Sequence, residues 1–290
     1  MMRICFFTLC FISTINQKIF AQDKNPPTHK QQKKEKHKHD FPNYDSSLLL
    51  ETKIDTTANI SFGDFDGDGH LDILLVKGRH WKIVDRIILG DGKGGIRKAY
   101  NLSSTEDRSF AGVVADFNGD GYLDIAISND DPDKKYIYFN DGKGNFKIGS
   151  EFGLPEWSTR NLSVADINKD GLPDLILANR GDVGKTSNYI CLNKGNGQSS
   201  ADCIPFAPYP TTTITPADFN KDGFVDLVAP NRYSGQSYVY LGSSDMAYSD
   251  NNRIPFGPPD ATIRMVAVAD FNGDGLLDIV AIDEFKGASL

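Results

Sequence analysis

The stretch DFNGDGYLD, residues 116–124, places oxygen-bearing side chains at positions 1, 3, 5 and 9 of a nine-residue loop, with glycine at positions 4 and 6. Hard oxygen ligands on alternate residues of a tight loop converge on one point. Ca²⁺ takes six to eight such oxygens. An EF-hand would close this loop with a bidentate Glu at position 12 and continue into a helix. Here position 12 is Ile127, the last carboxylate is Asp124 at position 9, and the chain runs on as the strand-like LDIAIS. The loop is not an EF-hand.

Four further copies stand in the chain: DFDGDGHLD from Asp64, DINKDGLPD from Asp166, DFNKDGFVD from Asp218 and DFNGDGLLD from Asp270, at intervals of 52, 50, 52 and 52 residues. Position 6 is Gly in all five, as a positive φ requires. Position 7 is His70, Tyr122, Leu172, Phe224 or Leu276, which share no ligand chemistry, so only a backbone carbonyl can serve there. Each loop is preceded by an alternating run (AGVVAD, NLSVAD, MVAVAD) and followed by an apolar one (LDIAIS, PDLILA, VDLVAP, LDIVAI). An aromatic-rich segment comes next, as at Tyr136, Tyr189 and Tyr238, with a weaker copy at Ile87. Short strands with Gly/Asn/Asp turns, repeated at this period, predict an all-β propeller with one four-stranded blade per repeat. The DGKG turns at Asp91 and Asp141 fall between two strands with no helix after them, so they read as hairpin turns and not as phosphate loops.

The pattern D-x-[DN]-x-D-G-x-x-D between two strands resembles the FG-GAP/VCBS repeat, the blade of integrin-α-type propellers, over roughly residues 57–284. The resemblance implies that each loop joins the innermost strand of a blade to the second and binds Ca²⁺, up to five ions in all. Carried over by position, the implied ligands are Asp64, Asp66, Asp68 and Asp72; Asp116, Asn118, Asp120 and Asp124; Asp166, Asn168, Asp170 and Asp174; Asp218, Asn220, Asp222 and Asp226; and Asp270, Asn272, Asp274 and Asp278. Asx-rich turns without a metal are the simpler alternative, but carboxylates packed this closely would repel one another. Pro173, at the exit of the third loop, is expected to distort that site slightly. The fifth repeat stops after its second strand, so the expected propeller of residues 47–290 is either incomplete or a five-bladed ring closed by the segment SSLLLETKI (46–54).

Residues 1–21, with the apolar run ICFFTLCFISTI and small Ala21, read as a secretory signal peptide. The run is short for a membrane span, and no other segment is apolar enough to cross a bilayer. Residues 22–46 begin with a Lys/His-rich stretch, QDKNPPTHKQQKKEKHKHD, and are expected to be a disordered basic linker. Beyond residue 40 the chain carries 23 Lys and Arg against 36 Asp and Glu, which argues against nucleic acid as a partner. Sixteen of those acids lie in the loops, so the acidity is a store for metal. Cys191 and Cys203, flanking a Gly/Ser-rich turn, are expected to pair in a disulfide in an exported chain.

Function is expected at the end of the blades opposite the loops. Arg180 and Arg232 lie six residues after position 9, and Arg160 and Arg264 six before position 1, with His80, Trp81, Trp157 and Tyr233 in the same connections. Arginine beside aromatic rings suits a carboxylated sugar. The expectation is therefore a secreted, calcium-stabilised binding or adhesion module for a glycan or an extracellular protein. No triad, nucleophile elbow or zinc spacing points to an enzyme; the resemblance keeps a polysaccharide lyase as the alternative.

Overall fold

The computed structural model describes residues 50–51, 55–182, 184–195 and 203–284. The predicted signal peptide (1–21), the predicted linker (22–46) and most of the segment expected to supply a closing strand lie outside them. Residues 48–290 form one compact unit, and among the described residues every regular element is a β-strand.

The strands fall into consecutive antiparallel sheets. The first comprises β1 (Thr57–Gly63), β2 (Asp72–Lys77), β3 (Arg86–Gly90) and β4 (Ile96–Asn101). The second holds β5 (Ser109–Ala115), β6 (Asp124–Asn129), β7 (Lys135–Asn140) and β8 (Phe146–Phe152). The third holds β9 (Thr159–Ala165), β10 (Asp174–Asn179), β11 (Asn188–Cys191) and β12 (Ile204–Phe206). The fourth holds β13 (Thr215–Ala217), β14 (Asp226–Ala229), β15 (Ser237–Tyr240) and β16 (Arg253–Phe256). The fifth pairs only β17 (Ile263–Ala269) with β18 (Asp278–Asp283). Strand order equals chain order in each sheet, the up-and-down connection of a propeller blade. The DGKG turns join β3 to β4 and β7 to β8.

Register puts every loop in the same place. Position 9 pairs with the last residue of the preceding strand: Gly63 with Asp72, Ala115 with Asp124, Ala165 with Asp174, Ala217 with Asp226 and Ala269 with Asp278. That last residue is always small. A Cβ on Gly63 would stand 2.9 Å from the Phe65 ring and 3.0 Å from Leu123.

The second strands of the first four blades are near-continuously apolar because they are covered on both faces. Leu74 and Val76 of β2 lie against β5, where a Cβ on Gly112 would come within 2.7 Å of one and 2.9 Å of the other. The next junctions repeat this packing: Ala126 shares a core with Leu162 and Val164, Ile176 and Ala178 share one with Ile214, and Val228 shares one with Val266 and Val268. Loop position 2 adds a plug, with Phe65, Phe117 and Ile167 all buried. Each junction stacks the second strand of one blade against the first strand of the next.

The first strand carries a bulge at its start. The ladder skips Ala58 in β1, Phe110 in β5, Arg160 in β9 and Arg264 in β17, leaving one unpaired residue each time at the same repeat position. Such an extra residue re-aims a side chain out of the pleat. In the third blade Cys191, at the end of β11, is disulfide-bonded to Cys203, which immediately precedes β12.

Candidate metal centre and the face opposite it

Each acidic loop is first held by its own backbone. Asp116 Oδ1 accepts the N–H groups of Gly119 (2.7 Å) and Asp120 (3.1 Å), while Oδ2 accepts Gly121 N–H at 2.8 Å. Asp270 repeats all three bonds with Gly273, Asp274 and Gly275. Position 5 accepts the N–H of position 7 in all five loops: Asp68 from His70, Asp120 from Tyr122, Asp170 from Leu172, Asp222 from Phe224 and Asp274 from Leu276. Asn118, Asn168, Asn220 and Asn272 each donate Nδ2 to the position-5 carboxylate. Position 4 has positive φ throughout, at Gly67, Gly119 and Gly273 but also at Lys169 (φ 61°) and Lys221 (φ 59°).

Position 9 plays a different part from the other acids. Asp124 is fully buried, and its two oxygens accept separate N–H groups, Phe117 at 3.0 Å and Asn140 at 2.9 Å. Asp72 bonds Phe65 and Gly90, Asp174 bonds Ile167 and Asn193, and Asp226 bonds Phe219 and Gly242 in the same way. Pro173 leaves this pattern intact in the third loop. Burial pushes the Asp124 and Asp174 carboxyls up to about 6, and the position-1 and position-5 carboxylates beside them push in the same direction. The paired N–H bonds oppose that rise.

Two asparagines extend the grip to the preceding blade. Asn140 Nδ2 donates to the carbonyl of Phe65, and Asn193 Nδ2 to the carbonyl of Phe117, both at 2.8 Å. The residues that correspond through their N–H bonds to position 9 are Gly90 and Gly242, which have no side chain to reach back.

The donor set fits a hard divalent cation. Asp64, Asp66 and Asp72 offer oxygens within 4.8 Å of one another. Asp66 Oδ1 and Asp218 Oδ1 are buried with no hydrogen-bond partner. A carboxylate oxygen that accepts one N–H keeps a further lone pair for a metal. The first loop also has a fixed cation of its own, Arg97, whose Nη2 pairs with Asp66 and lies 2.9 Å from Asp68.

The opposite ends of the blades hold most of the arginine and aromatic candidates, in two groups. In the first, Arg160 lies over the Phe110 ring at 3.8 Å and Arg79 at 6.0 Å, while His80 meets Phe110 edge-on at 5.4 Å and Trp81 at 6.2 Å. Asp130 anchors the group, accepting Ser158 Oγ at 2.7 Å and standing 3.2 Å from Arg160 and 3.6 Å from His80. Arg160 Nε and Nη1 are buried with no acceptor. In the second group Glu284 pairs with Arg232 at 2.6 Å and with Arg264; Arg180 Nε donates to Tyr233 Oη at 3.0 Å. Trp157 joins neither group, for its ring stacks on Tyr189 at 3.7 Å in the core between the second and third blades.

Asp130, Phe110 and Glu284 were not singled out from the sequence, yet the signal was there. Asp130 and Glu284 occupy the same register as Arg180 and Arg232, six residues after position 9, and Phe110 occupies that of Arg160 and Arg264. Following each register through all five repeats would have found the counter-charges.

Comparison with known proteins agrees with this geometry. The chain is 27% identical over 238 residues to the T-cell immunomodulatory protein homolog of Plasmodium yoelii yoelii, covering 70% of this chain and 34% of that protein. It is 27% identical over 158 residues to cartilage acidic protein 1 of Xenopus tropicalis, covering 50% of this chain and 24% of that protein. The chain therefore spans about a third or less of the curated relatives it matches. Among solved structures, the BBS1N chain of its complex with ARL6DN aligns over 81% of this chain and 68% of its own, at 12% identity and a TM-score of 0.49. The FG-GAP-like repeat matches at residues 64–127, 116–177, 166–229 and 218–281, each match running from one acidic loop through the strand that follows the next. With its loops, register and blades all in that repeat, the chain belongs to the FG-GAP-like repeat family and is a β-propeller.

Proposed function

We propose that this protein is an exported binding module whose acidic loops hold Ca²⁺ as part of the scaffold and whose opposite end takes a carboxylate-bearing ligand, a uronate-rich glycan or an acidic stretch of an extracellular protein. The observation that carries the reading is the gathering of five arginines, with Asp130 and Glu284 orienting three of them, at the ends of the strands away from the acidic loops. The loop carboxylates gather at one end, and Arg79, Arg160, Arg180, Arg232 and Arg264 at the other. The Cys191–Cys203 disulfide supports an oxidising compartment, in keeping with the signal peptide read from residues 1–21.

The chemistry differs at the two ends. Ca²⁺ would supply the charge that lets positions 1, 3 and 5 pack together, with Asp116, Asn118 and Asp120 holding it in the second loop. Position 9 braces the loop through backbone N–H groups. At the other end Arg160 is oriented by Asp130 and Phe110, with Arg79 beside it, so that a carboxylate meets guanidinium groups already fixed in place.

Thermal unfolding during calcium titration tests the scaffold. Extracellular calcium modules bind with Kd on the order of 0.1–1 mM. At tenfold excess over Kd each site then stabilises the folded state by about 1.4 kcal/mol. The melting temperature is expected to rise through the millimolar range and to fall back with chelator; a melting temperature that ignores calcium would overturn this half. Retention on immobilised polygalacturonate, compared with Arg160→Ala, tests the other half: equal retention of both proteins would refute it. Appearance of an unsaturated uronate would convert the reading into a lyase.

A further inference from the structure

The first acidic loop departs from the other four at position 3, where Asp66 stands in place of Asn118, Asn168, Asn220 and Asn272. Those asparagines each give Nδ2 to Oδ2 of the position-5 carboxylate, at 2.9, 2.8, 2.8 and 3.1 Å. An ionised carboxylate has no hydrogen to give, so Asp66 cannot be that donor, and it adds a fourth negative charge to the loop. Arg97 meets both needs. Its Nη2 lies 2.9 Å from Asp68 Oδ2 and pairs with Asp66 Oδ2. Among the described residues it is the one cation in ion-pair contact with a loop carboxylate. A bulge in β4 delivers it: Gly90 pairs with Ile96 and Leu89 with Lys98, so the ladder skips Arg97. In the second blade Asn140 pairs with Phe146 and Phe139 with Lys147, with no residue skipped. Such an extra residue re-aims its side chain. The Asp66 side chain is only 10% exposed, and its Oδ1 is buried with no hydrogen-bond partner, in a loop whose Asp64, Asp66 and Asp72 oxygens lie within 4.8 Å of one another.

We infer that Arg97 is the positioning residue of the first loop: it supplies the hydrogen bond that an asparagine supplies in the other four, and so lets this loop alone offer a cation a fourth carboxylate. The guanidinium takes one oxygen each from Asp66 and Asp68 in charge-assisted bonds and leaves Asp66 Oδ1 free. With no metal bound, the same contact holds together two acids that would otherwise repel. Arg97 acts through these two side chains, and its role follows from an exchange within the repeat: asparagine at position 3 needs no outside donor, and aspartate does.

Melting temperatures in chelator and in saturating calcium, for the full chain and for Arg97→Met, Asp66→Asn and the double variant, test the inference. Methionine keeps most of the apolar stem and removes the charge. In chelator Arg97→Met should melt about 2–4 °C below the parent. Calcium should close most of that gap, because a bound cation neutralises the same two carboxylates. Asp66→Asn rebuilds the amide of the other loops, so it should melt near the parent in chelator, and adding Arg97→Met to it should cost nothing further. An Arg97→Met that melts like the parent in chelator would overturn the inference. So would an equal loss in the Asp66→Asn background, since the arginine would then act by packing alone, or a loss that calcium leaves unchanged in a parent that responds to calcium. Only this last comparison rests on the calcium reading of the loops: a parent whose melting ignores calcium sinks that reading, while the comparison in chelator still decides whether Arg97 replaces the amide.

Discussion

Asp124 is a carboxylate that the fold itself needs, whereas Asp120, four residues earlier, is exposed and turned towards the centre of its loop. The two are separable by substitution. In Asp124→Asn the amide can accept from Phe117 or from Asn140 but not from both, so one buried N–H loses its acceptor. Leaving such a group unsatisfied costs about 1–3 kcal/mol. Urea unfolding in chelator should show that loss with no metal present. Asp120→Asn should leave metal-free stability within about 0.5 kcal/mol of the parent, as for most surface changes, while weakening the response to calcium. If the two variants lost the same stability in chelator, position 9 would have no bracing role. Lys169 and Lys221 make the complementary point: they hold a positive φ that costs an L-residue roughly 1 kcal/mol, so the loop geometry is imposed on them by the bonds around it.

The third blade has the shortest outer strand among the complete blades, Ile204–Phe206, and the disulfide beside it. Cys191 and Cys203 are 12 residues apart. Closing a loop of that length removes unfolded-state entropy worth about 3 kcal/mol. The Cys191→Ala/Cys203→Ala double variant should lose most of that in urea unfolding, and reductant should then have no further effect; a variant as stable as the oxidised parent would count against it. At this scale the sequence was most informative. The 50–52-residue period, the buried second strands and the DGKG hairpins could all be read from spacing and apolar runs. What could not be read was which oxygens the backbone would claim. Position 9 could be read as a candidate metal ligand but not as a brace, because its second N–H donor, Asn140 or Asn193, lies 16 or 19 residues further on. Trp157 looked like part of a sugar platform because nothing local announces the Tyr189 ring 32 residues away that occupies its face. The bulges were also invisible, since they are a property of pairing, and they are what lift Phe110, Arg160 and Arg264 out of their ladders.

Across the whole molecule the hydrogen bonds at position 9 and the two asparagines join into one path. Asp72 holds the N–H of Phe65, whose carbonyl takes Asn140; Asn140 gives its N–H to Asp124, which also holds Phe117. The carbonyl of Phe117 takes Asn193, and Asn193 gives its N–H to Asp174. The path stops there, because Gly242 stands where the fourth blade would need an asparagine. The fourth blade is also thinly laddered, with only Thr215–Ala217 as its first strand. Opening fluctuations should therefore divide the molecule in two: the first three sheets exchange their amide hydrogens as a single cooperative unit, and the fourth and fifth open separately at lower free energy. Asn193→Ala should release the third sheet from that unit, which residue-resolved hydrogen exchange would register as earlier labelling of Ile167 while Phe65 stays protected.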